Sequence, residues 1–70
     1  MNYKVIGERI KELRLENHFS QAKLGDLLLV SQDTISLWEN KKALPNTEYI
    51  ISMCKIFEIS ADYLLGLIDW

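Results

Sequence analysis

One short pattern occurs three times in this 70-residue chain, and each occurrence predicts the start of a helix. An apolar residue precedes a serine, and an Ile or Leu follows that serine by four positions, as in FSQAKL, VSQDTI and ISADYL. A serine at this position caps a helix by accepting a hydrogen bond from a free backbone N–H, and the two apolar residues pack against each other across the cap. Helices are therefore predicted to begin at Gln21, Gln32 and Ala61.

Two further helices follow from apolar spacing and from turn residues. Apolar residues at i, i+4 and i+7 predict the first helix, which Asn17 and His18 end because both residue types tolerate the left-handed conformation. Pro45 and Asn46 precede another helix, with Asn46 as its cap. No segment has the alternation of a strand, so the predicted fold class is all-α with five helices in one domain over residues 1–70. The predicted helices cover residues 4–16, 21–28, 32–39, 47–57 and 61–65.

The link between the second and third helices restricts their geometry. Only about three residues join them, and such a link makes two short helices cross steeply, as in a helix-turn-helix. Gly25 lies in the middle of the second helix, where it costs about 1 kcal/mol relative to Ala. We expect the third helix to approach closely at Gly25, with an incidental weak spot as the alternative.

Size and composition limit the class of protein. Seventy residues form one domain near the lower limit for independent folding, and 49% of them are apolar. The single cysteine, Cys54, excludes an internal disulfide framework and fits a reducing compartment. No apolar run approaches the roughly 20 residues that cross a bilayer, and the N-terminus lacks the apolar stretch of a signal peptide. A cytoplasmic protein without a membrane partner is expected.

The charge distribution permits an anionic partner without requiring one. The net charge is −2 and the sequence pI about 5.2, whereas nucleic-acid-binding domains are usually basic. However, residues 1–45 carry seven basic and six acidic side chains, and residues 46–70 carry one basic and four acidic ones. The acidity is therefore concentrated at the C-terminal end, away from the second and third helices.

The third helix separates its polar and apolar residues onto two sides. At about 100° per residue, Ile35 and Trp38 lie opposite a polar stripe formed by Gln32, Asp33, Ser36 and Asn40, with Leu37 at its edge. Helix faces that only contact water favour Lys and Glu, the good helix formers. Gln, Asp and Ser instead bond base edges well, and Leu can pack on a thymine methyl group. We predict that bases are contacted by Gln32, Asp33, Ser36 and Leu37; a solvated polar face is the alternative.

The segment SQAKLGDLLLVSQDTISLWENKKALP resembles the phage repressor and Cro-type (XRE-like) helix-turn-helix family. Upstream, IGERIKELRLENHFSQ is similar to the family's first helix, and downstream, ISMCKIFEISADYLLG is similar to its fourth and fifth. The resemblance covers roughly residues 5–66. It implies a compact lambda-repressor-like domain that binds double-stranded DNA in a sequence-specific way and regulates transcription as a repressor, with the third helix in the major groove.

The resemblance also implies roles for residues around the recognition helix. Gln21, at the start of the second helix, is expected to contact a DNA phosphate, as free N–H groups at helix N-termini also do. Arg14 is expected to pair with Glu39 and so tie the first helix to the third as structural support. The remaining expected phosphate contacts are Lys23, Ser31, Asn40, Lys41 and Lys42.

Three turns depart from the family pattern. Leu29, Lys41 and Glu58 stand where family members commonly have Gly. A residue other than Gly at positive φ costs about 1 kcal/mol. We expect these turns either to be slightly strained or to adopt another geometry.

The C-terminal segment carries more apolar side chains than a frayed end should expose. Leu67, Ile68 and Trp70 follow Gly66, and contiguous exposed apolar surface usually marks a partner site. A homodimer would place two recognition helices about 34 Å apart and favour a near-palindromic operator. The alternative is that the tail folds back on its own domain.

No constellation of residues suggests an enzyme, a metal, a cofactor or a small-molecule substrate. Cys54 is expected to be buried and His18 to end a helix. Glu8, Glu12 and Glu16 follow one another at intervals of four, which is typical of a solvated helix face, and no His or Cys joins them. The rival to the DNA-binding hypothesis is a protein-interaction or antitoxin-type module that keeps the fold with weak or no DNA binding. The acidic pI and the missing turn glycines favour that rival.

Overall fold

The computed structural model describes residues 3–70, and the first two residues of the predicted domain lie outside this range. The second, third and fourth helices have the predicted bounds, whereas the first begins one residue earlier and the fifth ends one residue sooner than expected. Within the described range, no helix is long and apolar enough to cross a membrane. The helices are α1 (Tyr3–Glu16), α2 (Gln21–Leu28), α3 (Gln32–Glu39), α4 (Thr47–Phe57) and α5 (Ala61–Leu64).

The three serines cap their helices as the repeated pattern predicts. The Ser20 side chain accepts a hydrogen bond from the Lys23 backbone N–H at 2.9 Å. Ser31 and Ser60 accept from residues three positions further on, each at 3.1 Å. Asn46 occupies the cap position of α4, but its side chain makes no capping hydrogen bond, so this expectation was wrong in its chemistry. The capped starts of α2 and α3 fix where each side chain of the helix-turn-helix points.

Every helix contributes a fully buried side chain to one core. Burial of an aliphatic side chain of this size contributes about 1.5–3 kcal/mol, so these residues dominate the stability of a small domain. They are Ile10, Leu24, Ile35, Met53 and Leu64, and each has an exposed fraction below 2%. Packing from five short helices thus supplies the hydrophobic core without any disulfide.

Two glycines allow helices to approach at backbone distance. A Cβ atom on Gly25 would lie 2.7 Å from the Val30 carbonyl oxygen, in the turn that leads into α3. A Cβ atom on Gly7 would lie 2.3 Å from the carbonyl oxygen of Trp38, near the end of α3. The close approach expected at Gly25 is therefore present, and Gly7 seats α1 directly against α3.

The turns without glycine are strained. Leu29, Lys41 and Glu58 have φ values of 60°, 65° and 56°, in the left-handed region. His18 has a φ value of 58° and follows α1, as its residue type predicts. The sequence left open whether the three turns would change geometry. They instead keep the left-handed conformation, at a cost of about 1–2 kcal/mol for each side chain.

Candidate nucleic-acid interface

The N-terminal half of α3 presents free polar side chains to solvent. Gln32 and Asp33 are exposed, and neither side chain forms a hydrogen bond within residues 3–70. Leu37 is also exposed, with 44% of its surface accessible. On the opposite side of the helix Ile35 and Trp38 are buried. Because the apolar side is anchored in the core, the polar side projects away from the molecule.

Ser36 and Asn40 are bonded to each other one turn apart. The Asn40 Nδ2 atom donates to the Ser36 backbone oxygen at 2.9 Å and lies 3.1 Å from its Oγ. Asn40 is exposed and Ser36 half-buried. The Ser36 hydroxyl can still donate a hydrogen bond outward, and this pairing restricts the rotamers of both side chains before any ligand arrives.

The side chain of Ser31 is occupied by its own helix. Besides capping α3, its Oγ lies 3.0 Å from Oγ1 of Thr34. A phosphate contact by the Ser31 hydroxyl would therefore compete with the cap. Thr34 was not among the residues predicted for the site, although its spacing of three residues from a serine cap is the spacing at which a side chain can reach that serine.

A buried carboxylate connects three helices behind this face. Glu39 Oε2 accepts from Arg14 Nε at 2.7 Å, and Glu39 Oε1 lies 3.1 Å from Arg14 Nη2. The Arg14 Nη1 atom donates to the Phe19 carbonyl oxygen at 2.8 Å. Gln21 Nε2 donates to Glu39 Oε1 at 3.2 Å. The end of α1, the start of α2 and the end of α3 are thus held by one bidentate ion pair and its neighbours.

The residues expected to contact phosphates differ in exposure and in whether their side chains already form a hydrogen bond or an ion pair within the protein. Lys23 and Lys42 are exposed and have no ion pair within the described residues. Gln21 is half-buried and gives one amide hydrogen to Glu39, which leaves its other hydrogen and its oxygen available. The Nζ atom of Lys41 lies 3.0 Å from Glu8 Oε1 on α1. No sequence pattern predicts this last pairing, because it joins residues 33 positions apart.

The C-terminal segment is fastened to α1 through one arginine. The Arg9 guanidinium donates to the Tyr63 and Ile68 backbone carbonyl oxygens, the latter at 2.7 Å, and lies over the Tyr63 ring. It also forms an exposed ion pair with Asp69 at 3.3 Å. Ile68 is half-buried, whereas Leu67 and Trp70 remain exposed. The tail folds back through its backbone and still presents two apolar side chains to solvent.

The described residues contain no group of three or more His, Cys, Asp and Glu side chains that could hold a metal ion. Cys54 was expected to be buried, but it is only half-buried because it lies at the margin of the core. Burial nevertheless raises the pKa of its thiol above the ordinary value. The thiol therefore stays protonated near neutral pH and is a poor nucleophile.

The short link between α2 and α3, the anchored third helix and its exposed polar face define a lambda-repressor-like helix-turn-helix protein. The chain belongs to the phage repressor and Cro-type helix-turn-helix family: the family model described as "Helix-turn-helix" matches residues 10–64. It is 40% identical to repressor protein C2 of Salmonella phage P22, over 93% of this chain and 30% of that protein. It is 36% identical to the transcriptional activator BcrR of Enterococcus faecalis, over 84% of this chain and 29% of that protein. The chain thus spans about three tenths of the length of these relatives.

Solved structures show the same similarity. The crystal structure of the P22 c2 repressor in complex with synthetic operator 9T matches with a TM-score of 0.80 at 40% identity, over 86% of this chain and 91% of that one. The solution structure of the DNA-binding domain of the same repressor matches with a TM-score of 0.81, over 93% of this chain and 86% of that one. The similarity therefore extends over nearly all of the domain.

Proposed function

We propose that this chain is the sequence-specific, double-stranded-DNA-binding domain of a transcriptional regulator of phage or bacterial type, acting as a repressor in the cytoplasm. The observation that carries the proposal is the free state of Gln32 and Asp33 at the exposed start of α3. A similar protein, the P22 c2 repressor, is described in complex with operator DNA. The proposed activity is binding, with no catalytic step and no cofactor.

In this proposal each polar or apolar side chain on the exposed face of α3 makes a different contact with the DNA bases. We assign to Gln32 a bond to an adenine edge through both its amide atoms, to Asp33 a bond from a cytosine amino group, and to Leu37 packing on a thymine methyl group. Ser36 donates its hydroxyl hydrogen to a base. Phosphate contacts fix the register of the helix without reading sequence, and we assign them to Gln21, Lys23, Ser31, Asn40, Lys41 and Lys42.

The phosphate contacts proposed for Ser31 and Gln21 can be assigned to particular atoms of each residue. Because the Ser31 hydroxyl caps α3, we assign its phosphate contact chiefly to the free backbone N–H groups beside it. Gln21 approaches the phosphate with the amide hydrogen that Glu39 does not hold. Arg14 and Glu39 support this geometry and do not touch the DNA.

We further propose that two copies bind one near-palindromic operator. Leu67 and Trp70 are exposed to 58% and 83%, and both belong to the C-terminal segment that Arg9 holds against α1. A two-fold pair through this surface would place the recognition helices in successive major grooves, about 34 Å apart. Duplexes that carry two half-sites at different spacings test this proposal. We expect two chains to bind at one preferred spacing, and Trp70→Ser to weaken this paired binding. Binding that does not depend on the spacing would contradict the proposal.

In-vitro selection from random duplexes tests the main proposal. Enrichment of one short motif, with affinity that falls steeply as salt rises, is the expected result. The acidic pI of about 5.2 favours the rival function, a protein-interaction or antitoxin-type module. A gel-shift assay with random duplex at low salt separates the two, because absence of any shift at micromolar protein supports the rival and contradicts DNA binding.

A further inference from the structure

Three lysines surround one concavity next to the end of α3. The concavity has a volume of about 440 Å³. Its lining comes from the first turn of α1 and from the loop between α3 and α4. The lining residues are Lys4, Lys41, Lys42, Ala43 and Leu44. Lysines on two separate segments of the chain therefore converge on a single pocket that is large enough for a phosphate group.

The packing of α1 against α3 brings Lys4 to this place. Gly7 lies so close to the Trp38 carbonyl that a Cβ atom there would approach it to 2.3 Å. Lys4 stands one turn before Gly7 on α1, beside the loop that follows α3. Nothing in the spacing of the sequence joins Lys4 to Lys41. The convergence is a consequence of the direct backbone contact between the two helices.

Glu8 forms an ion pair with Lys41, one of the three lysines that line the concavity. Glu8 Oε1 lies 3.0 Å from Lys41 Nζ, and the two side chains are 53% and 40% exposed. Exposed ion pairs of this kind contribute little to folding stability and exchange readily with other ions. A competing anion can therefore replace Glu8 as the partner of Lys41 with little loss of folding stability.

We propose that this concavity is a phosphate-binding subsite outside the helix-turn-helix, and that Glu8 competes with the phosphate for Lys41. The inference rests on the proposed function, in which Lys41 and Lys42 contact the DNA backbone, and extends that contact to Lys4 on α1. A backbone phosphate of duplex DNA occupies the subsite in the complex. Glu8 occupies Lys41 in the free protein and so lowers the affinity for DNA of any sequence.

The test compares substitutions that remove one charge each, measured by fluorescence anisotropy on cognate and random duplexes over a range of salt concentrations. Lys4→Gln is expected to weaken binding to both duplexes by the same factor. It should also lower the slope of log affinity against log salt concentration by about 1, the effect of one lost phosphate contact. Glu8→Gln is expected to strengthen binding to both duplexes by the same factor, about 1.5- to 5-fold, which corresponds to the free energy of an exposed ion pair. An unchanged salt slope in Lys4→Gln would overturn the role of Lys4.

Glu12→Gln is the matched control for the carboxylate. Glu12 is exposed on the same helix one turn further on, and it has no ion pair within the described residues. An equal gain in affinity from Glu8→Gln and Glu12→Gln would mean that Glu8 acts only through the net charge, and the competition would be rejected. The gain from Glu8→Gln is expected to shrink to the control value when Lys41 is already Gln, because the competitor then has no partner.

Inorganic phosphate serves as a second probe that does not depend on DNA binding. Titration of the protein with millimolar phosphate, followed by the backbone amide resonances of Ala43 and Leu44, is expected to shift both in the wild type and less in Lys4→Gln. If the wild type binds no duplex but phosphate still shifts these amides, the proposed function fails while the anion site stands as a site for a free anion. If neither probe binds, both are overturned.

Discussion

Gln21 donates a hydrogen bond from Nε2 to Oε1 of Glu39 at 3.2 Å, so the first residue of α2 is held by the last residue of α3. The same carboxylate accepts two hydrogen bonds from Arg14 on α1. One buried carboxylate therefore fixes both the proposed phosphate contact at Gln21 and the helix proposed to read bases. These two parts of the proposed interface therefore share one support.

Loss of the carboxylate charge is expected to destabilise the domain strongly. Glu39→Gln should lower the free energy of unfolding by about 3 kcal/mol, because it leaves the guanidinium of Arg14 buried without a counter-charge. Urea unfolding monitored by circular dichroism measures this. Glu8→Gln, which breaks the exposed pair with Lys41, is the control and should change stability by less than about 1 kcal/mol.

If Glu39→Gln does not fold, the double variant Arg14→Met with Glu39→Leu gives the same information. Apolar replacement of both partners removes the unpaired charge and should cost less than the single change. A single variant as stable as Glu8→Gln, or a double variant less stable than the single one, would show that the Arg14–Glu39 pair does not hold the three helices together.

Removal of the Gln32 amide is expected to affect sequence preference and not general affinity. Gln32→Ala should reduce discrimination between the selected site and random duplex by about 1–3 kcal/mol, the contribution of a bidentate base contact. The side chain is exposed and forms no hydrogen bond within the protein, so folding stability should be unchanged. Anisotropy titrations on both duplexes measure the effect, and an equal loss on the two would contradict base reading by Gln32.

Removal of the Lys42 charge is expected to have the opposite pattern. Lys42→Ala should weaken binding to cognate and random duplexes alike and lower the salt slope by about 1, because a phosphate contact carries no sequence information. Lys55→Ala is the matched control, since Lys55 is an exposed lysine on α4 outside the proposed interface. Similar slopes for the two variants would remove Lys42 from the phosphate contacts.

Local chemistry is enough to predict the helices of this chain. A serine cap needs only the backbone N–H groups of the next turn, so the starts at Gln21, Gln32 and Ala61 can be read from six-residue patterns. The buried side of α3 follows from helical periodicity in the same way. Asn46 shows the limit of the rule, because a favourable residue type at the cap position does not guarantee the hydrogen bond.

Partners that lie far apart in sequence could not be predicted from such patterns. The bond from Gln21 to Glu39 and the ion pair from Lys41 to Glu8 depend on how α1, α2 and α3 pack against one another. Arg9 reaches the carbonyl oxygen of Ile68 only because the chain turns back after α5. The Arg14–Glu39 pair was expected solely through the family resemblance, since periodicity alone places Glu39 on the helix without naming its partner.

The turn between α2 and α3 offers a gain in stability without a change at the interface. Leu29 has a φ value of 60° and is 91% exposed, so its side chain adds strain and buries almost nothing. Leu29→Gly should raise the free energy of unfolding by about 0.5–1 kcal/mol, because relief of the left-handed strain exceeds the entropy that Gly adds to the unfolded chain. Leu27→Gly, inside α2, is the control and should destabilise by at least about 1 kcal/mol. A loss of stability in both variants would show that the left-handed turn does not strain Leu29.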